Sequence, residues 1–188
     1  MIKLREFVFK MRGFTPVPFV LIALVWAQFN IYLIVFGALI SIAGESLRLQ
    51  SIKYAGGATR TRNVGACDLV TTGPYARMRN PLYFANMLIY IGFALGSGAV
   101  LPYLPIATFI FFSFQYYIII ALEEETLCEL FDKSYQVYCK NVPRLMPKLT
   151  IPESGHNPIY PVAEALRQVR SAIAGIAVIW VLLFIRLY

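Results

Sequence analysis

The sequence predicts an all-α fold: a polytopic transmembrane helical bundle of about five spans, forming one membrane domain over residues 1–188. Three observations predict it. The chain is 59% hydrophobic and only 14% charged, too apolar for an ordinary soluble domain. Its apolar runs are long, and turn-rich polar segments separate them. Of its 17 Lys and Arg residues, all but Arg186 fall in the N-terminal arm, the 44–80 segment or the 123–170 segment. That one-sided charge is what cytosolic loops carry. It explains the net charge of +7 without nucleic acid, because the basic residues do not share one amphipathic face. An arrangement with the N-terminus and all three basic segments in the cytosol follows, with Tyr188 on the opposite side.

The elements follow in order. Met1 to Arg12 mixes Lys3, Arg5, Lys10 and Arg12 with Ile2, Leu4, Phe7, Val8 and Phe9. This suits an interfacial helix on an anionic membrane face; a solvated arm is the alternative. No small-residue cleavage site follows, so no cleavable signal is expected. Pro16 to Ala43 is apolar except for Gln28, Asn30 and Ser41. Wholly helical, it would extend roughly 42 Å, long for one span and short for two. Charge favours a hairpin turning near Gln28–Asn30, with its second helix running on through Glu45 and Arg48 towards Lys53. A hairpin returns both basic flanks to one side, whereas a single span splits them. Tyr54 to Arg79 lacks a helical apolar period and reads as a structured loop.

Within that loop Thr71-Thr72-Gly73-Pro74 is a turn signal: Gly tolerates positive φ, and Pro presets φ near its helical value. Asn80-Pro81 then reads as a helix start, with Asn80 as N-cap and Pro81 at the first helical position. Pro81 to Ala99 is the next span, with Gly92, Gly96 and Gly98 marking close packing or fraying at its far end. After a turn at 100–104, Ile106 to Leu122 returns. Two spans and a short turn therefore bring Glu123-Glu124-Glu125 back to the side that Asn80 left. Glu123 to Tyr138 continues as a helix outside the membrane, with an apolar stripe at Leu127, Leu130, Phe131, Tyr135 and Tyr138. Asn141 to Pro147 stops it. A linker at 148–161 leads to a C-terminal helix at 162–188. There an amphipathic lead-in precedes an apolar run at 171–185, read as a short or tilted extra span.

The candidate chemistry sits at the two polar clusters. An acid placed directly after a long apolar run is costly without a partner. Arg77 and Arg79 are candidate partners for Glu123, and a bound cationic ligand is another. Each residue also has an ordinary reading: Asn80 as a cap, Tyr75 and Tyr83 as interfacial aromatics, and the arginines as contacts to lipid phosphate. Tyr75 and Tyr83 could instead border a sulfonium or ammonium group. Cys67, Cys128 and Cys139 fall on the cytosolic side and are expected as free thiols. With the single His156 they give no zinc spacing, so no metal is expected.

The ordered blocks Leu69-Val70-Thr71-Thr72-Gly73-Pro74-Tyr75, Arg79-Asn80-Pro81-Leu82-Tyr83, Glu123-Glu124-x-x-Leu127 with Phe131, Tyr135 and Tyr138, and Val142-Pro143-Arg144-Leu145-Met146-Pro147 carry a resemblance. Over residues 44–148 the chain resembles the isoprenylcysteine carboxyl methyltransferase and phospholipid methyltransferase superfamily. That resemblance implies an integral membrane enzyme. It would transfer a methyl group from S-adenosylmethionine to a lipid or prenylated small-molecule acceptor, at a site on the cytosolic boundary. The membrane would be the plasma or inner membrane in a bacterium and the endoplasmic reticulum in a eukaryote.

The resemblance also implies roles. Cys67, Asp68, Leu69, Val70 and Tyr75 would line the cofactor. Asn80 and Pro81 would lie beside its methionine or adenosine part, with Tyr83 closing that pocket. Glu123 would bind amino or ribose groups. Glu124 and Asn80 are the candidate catalytic residues, Glu124 as proton acceptor for an amine. Arg77 and Arg79 are candidates for substrate or phosphate. Two positions depart from the carboxyl methyltransferases: Asn80 stands where they usually carry His, and Ile119 where they carry an arginine thought to face the substrate carboxylate. Both weaken the case for a prenylcysteine carboxylate as acceptor, and the acceptor stays open between a phospholipid amine and a carboxylate or other prenylated group. Outside this class stand a related-fold membrane reductase with a nicotinamide cofactor and a non-enzymatic membrane protein. The first calls for more spans and a further basic pocket. The second is expected to lose the acids or the Gly-Pro-Tyr turn, and this chain keeps both.

Overall fold

The computed structural model describes residues 2–55, 69–148 and 161–187. Within them lie seven helices: α1 (Ile2–Met11), α2 (Pro16–Val25), α3 (Ile31–Ala55), α4 (Pro74–Arg77), α5 (Pro81–Gly96), α6 (Tyr103–Asn141) and α7 (Val162–Leu187). Among the described residues α3, α6 and α7 are long and apolar enough to cross a membrane, and α2 and α5 are shorter apolar helices. This is the helical bundle that the composition predicts.

The expected break near Gln28–Asn30 is present. Helix α2 ends at Val25, and Asn30 Oδ1 accepts the backbone N–H groups of Tyr32 and Leu33 at 3.0 and 3.2 Å. This side-chain cap starts α3 by satisfying donors that lack an intrahelical partner. The Gln28 N–H donates to the Ser97 carbonyl at 2.9 Å, which ties the turn to the far end of α5.

Helices α3 and α5 run antiparallel along a seam of small residues. A Cβ on Gly92 would lie 2.6 Å from both the Gly37 carbonyl and Ser41 Oγ, and one on Gly44 would lie 2.8 Å from the Ala85 carbonyl. Small residues let the two backbones approach where lipid supplies no hydrophobic drive. Ser41 adds a hydrogen bond to the Ile89 carbonyl at 3.3 Å.

Helix α5 ends earlier than the sequence reading has it, while α6 and α7 run on as that reading expects. Helix α5 stops at Gly96 and does not reach Ala99. Its 16 residues extend roughly 24 Å, short of a hydrocarbon core of about 30 Å. Ser97 ends it: its hydroxyl donates to the Ala94 carbonyl and accepts the Ala99 N–H, while Gly98 turns the chain at φ +63°. Helix α6 joins the returning span and its extension into one 39-residue element, interrupted by non-helical backbone at Asp132. Helix α7 likewise merges lead-in and apolar run into 26 residues. Its Ala165 and Val169 pack on Ile52 and Leu82, while Trp180 and Leu183 pack with Ala23 and Phe93 near the far end. It therefore lies along the length of the bundle.

Helix α1 is not a solvated arm. Phe9 is buried with Tyr83, Met87, Phe112, Tyr116, Ile119 and Ile120, and Arg5 pairs with Glu125 at 2.6 Å. The docking places Arg12 and Thr15 beside α6.

Candidate functional site

The bundle brings the first turn of α5 against the point where α6 leaves its apolar run. The approach expected of Asn80 and the glutamates is therefore present. Tyr83 donates its hydroxyl to Glu123 Oε1 at 2.6 Å, and Asn80 Nδ2 lies 3.4 Å from Glu124 Oε1. Successive helical residues point about 100° apart, so the neighbouring acids meet different partners.

Glu124 is the more enclosed, with its side chain 11% exposed. Arg79 Nε donates to its Oε1 at 3.0 Å, and Arg144 Nη2 to its Oε2 at 2.5 Å. Two guanidinium groups and the Asn80 amide thus engage both carboxylate oxygens. Arg79 Nη1 also donates to the carbonyls of Cys139 and Val142 at 2.9 and 3.2 Å, closing the unpaired C-terminal end of α6. Arg79 is a strut between the start of α5 and the end of α6. Its predicted place as a partner of Glu123 goes instead to Arg12, at 4.0 Å.

Extended backbone holds this arrangement. The N–H groups of Arg79 and Asn80 donate to the carbonyls of Pro143 and Arg144 at 2.9 and 3.2 Å, and Lys148 N–H donates to the Arg77 carbonyl at 3.0 Å. The block after α6 therefore pairs with the residues before α5. Pro143 suits the ladder because its carbonyl accepts and it has no N–H to lose.

Asn80 occupies the N-cap position, yet its side chain makes no cap hydrogen bond. Its Nδ2 instead donates to Glu124 and to the Arg144 carbonyl. The expected capping is displaced by these longer-range contacts. Pro81 is buried at the start of α5.

The Gly-Pro-Tyr turn forms as its residues require. Gly73 has φ +59°, and a Cβ there would meet the Tyr54 ring at 2.5 Å, so conformation and space both favour glycine. Pro74 opens the short α4. The Tyr75 carbonyl accepts the Tyr138 hydroxyl at 2.7 Å. Burial pushes the Tyr75 phenol above its ordinary value, and nearby Tyr138 and Glu123 act in the same direction; this ring stays neutral.

Of the other predicted site residues, Leu69 packs with Tyr135, Tyr138 and Val142, and Val70 is half-buried. Arg77 is exposed at the end of α4. Cys67 and Asp68 lie outside the described residues. Ile119 is fully buried in the aromatic cluster beneath Tyr83. Sequence reasoning missed Arg12 and Arg144 as site residues. Arg144 stood in plain view between Pro143 and Leu145, but only the fold shows that its side chain turns back to Glu124.

The fold and these contacts define an integral membrane helical bundle with an acid-and-arginine cluster at one end. Residues 32–134, more than half of the chain, match the family model described as phospholipid methyltransferase, and the chain belongs to that family. No curated protein and no solved structure matches it.

Proposed function

We propose that this chain is an S-adenosylmethionine-dependent methyltransferase that acts on a lipid or lipid-like acceptor at the acid-bearing end of the bundle. The family supports methyl transfer in a membrane. The observation that carries the reading is the division between the adjacent acids. Glu124 has both oxygens engaged by protein groups. Glu123 shares Oε1 with the Tyr83 hydroxyl, and among the described residues no group donates a hydrogen bond to its Oε2.

These groups fit the cofactor's chemistry. Glu123 Oε2 would accept from an ammonium or ribose hydroxyl, as a charge-assisted hydrogen bond. Asn80 spends both amide hydrogens on Glu124 and Arg144, leaving Oδ1 as its remaining acceptor. Tyr83, Tyr75, Pro81, Leu69 and Val70 would border the bound group. S-adenosylmethionine, when bound, supplies a methyl group already activated on a sulfonium. The protein's part is then alignment and exclusion of water.

Glu124 is better suited to position than to take a proton. Arg79 and Arg144 each occupy one of its oxygens and leave neither free to meet an acceptor. We therefore read Glu124 as the hub that fixes Asn80, Arg79 and Arg144. Arg79, bound within that hub, is likewise less suited than Arg77 to meet a substrate phosphate.

Ile119, at the position where the resemblance would call for an arginine facing a carboxylate acceptor, is an apolar side chain buried in the aromatic cluster. That favours the phospholipid amine among lipid acceptors. Equilibrium dialysis of labelled S-adenosylmethionine against the purified protein tests the assignment. Saturable binding that falls in Glu123→Gln is expected, and binding indifferent to that change would overturn it.

A further inference from the structure

Arg12 precedes the segment that matches the family, and nothing in the proposed chemistry uses it. Its surroundings are unusual for a basic residue at a membrane boundary. The guanidinium carbon lies 3.7 Å from the centroid of the Phe9 ring, and Phe9 itself is buried under α6. Arg12 is thus held in place by a cation–π contact. Its Nη1 is buried and has no hydrogen-bond partner. A guanidinium N–H removed from water without an acceptor is unfavourable.

The nearest acid is Glu123, with Nη1 to Oε1 at 4.0 Å. That exceeds hydrogen-bond distance, and the same oxygen is already taken by Tyr83 at 2.6 Å. Lys10, two residues earlier, is exposed, whereas Arg12 turns its Nη1 inward. The turn after it is also fixed. The Thr15 hydroxyl lies 3.0 Å from both the Arg12 carbonyl and Gln115 Oε1, donating to one at a time. The Gln115 Nε2 is buried without a partner as well.

A cation and an acid facing each other across a gap are matched by a ligand that carries both charges close together. An α-amino acid does so: its ammonium suits Glu123, and its carboxylate suits a planar guanidinium fork. We propose that Arg12 holds the α-carboxylate of the cofactor's amino-acid end while Glu123 holds its ammonium. The N-terminal segment then completes the cofactor site, anchored from outside by Arg5 on Glu125. This inference rests on the reading of the chain as an S-adenosylmethionine-dependent enzyme.

The test is calorimetric binding to the full-length protein, without turnover. Two ligands are titrated: S-adenosylmethionine, and its decarboxylated analogue, which keeps the sulfonium and the amine. Arg12→Gln is expected to weaken S-adenosylmethionine binding about tenfold to a hundredfold, the worth of one charge-assisted hydrogen bond. Binding of the analogue should stay within about twofold, below the scale of any lost ionic contact. Arg12→Lys should fall between, because an ammonium keeps the charge but not the fork. Lys10→Gln should bind both ligands as the wild type does.

Equal weakening of both ligands would make Arg12 a prop for α1 and Glu123, and would overturn the proposal. Unchanged S-adenosylmethionine binding, with a raised KM for phospholipid, would assign Arg12 to the acceptor and overturn it too. A wild-type protein that binds neither ligand would overturn the methyltransferase reading itself, and this inference with it.

Discussion

Tyr83 donates its hydroxyl to Glu123 across 2.6 Å, joining the first turn of α5 to the point where α6 leaves its apolar run. The contact holds one oxygen of Glu123, and among the described residues no group donates a hydrogen bond to the other. Glu123→Gln is therefore expected to weaken S-adenosylmethionine binding by about 1.5–3 kcal/mol, roughly tenfold to a hundredfold. Calorimetry checks this. Tyr83→Phe should cost less, because it removes a support and not the ligand's own partner.

Glu124 is expected to act on stability first. Glu124→Gln leaves Arg79, whose side chain is 12% exposed, without its anionic partner. Breaking a buried pair in this way costs about 3–5 kcal/mol. The figure here belongs at the lower end, since Arg144 is 38% exposed and regains solvent. Thermal unfolding in detergent measures it. A variant with wild-type stability but lost turnover, rescued at higher pH, would instead return Glu124 to the role of proton acceptor.

The seam between α3 and α5 makes a contrasting pair of glycine substitutions. Gly92→Ala introduces a Cβ 2.6 Å from the Gly37 carbonyl, and overpacking of this kind costs about 1–3 kcal/mol. Gly175→Ala in α7 meets nothing within 4 Å. It should be neutral or stabilising by up to about 1 kcal/mol through helix propensity. Similar unfolding temperatures for both variants would contradict the packing described.

Membrane orientation is testable at two exposed positions. Met146 follows α6 beside the acid cluster, and Val100 lies in the turn at the other end. With the native cysteines replaced, Met146→Cys is expected to label from the cytosolic side and Val100→Cys from the opposite side. Labelling of both from one side would reject the one-sided charge argument.

Much of this arrangement was legible in the chain. The Lys and Arg distribution pointed to the hairpin at Gln28–Asn30, and the short turn after Gly98 brought Glu123 back to Asn80. Gly73 and Pro74 announced their turn because their φ preferences are intrinsic to the residues. What stayed hidden depended on contacts distant in sequence. Asn80 has the residue type of an N-cap, but its amide is drawn to Glu124, 44 positions away. Arg79 was legible as a partner for an acid, but only the fold shows that it and Arg144 close on one carboxylate, that of Glu124. Arg12 read as a membrane-surface cation, because no local pattern reveals that Phe9 docks beneath its guanidinium and that its Nη1 is buried. The end of α5 was misplaced because Ser97, an ordinary residue at a helix end, closes that helix through its own hydroxyl.

The most direct measurement incubates the purified protein with methyl-labelled S-adenosylmethionine and total membrane lipid, then identifies the labelled product. Label is expected in the organic phase, on the headgroup nitrogen of a phospholipid, and is expected to be lost in Glu123→Gln. Label confined to unreacted cofactor, or product formation unaffected by Glu123→Gln, would contradict that expectation.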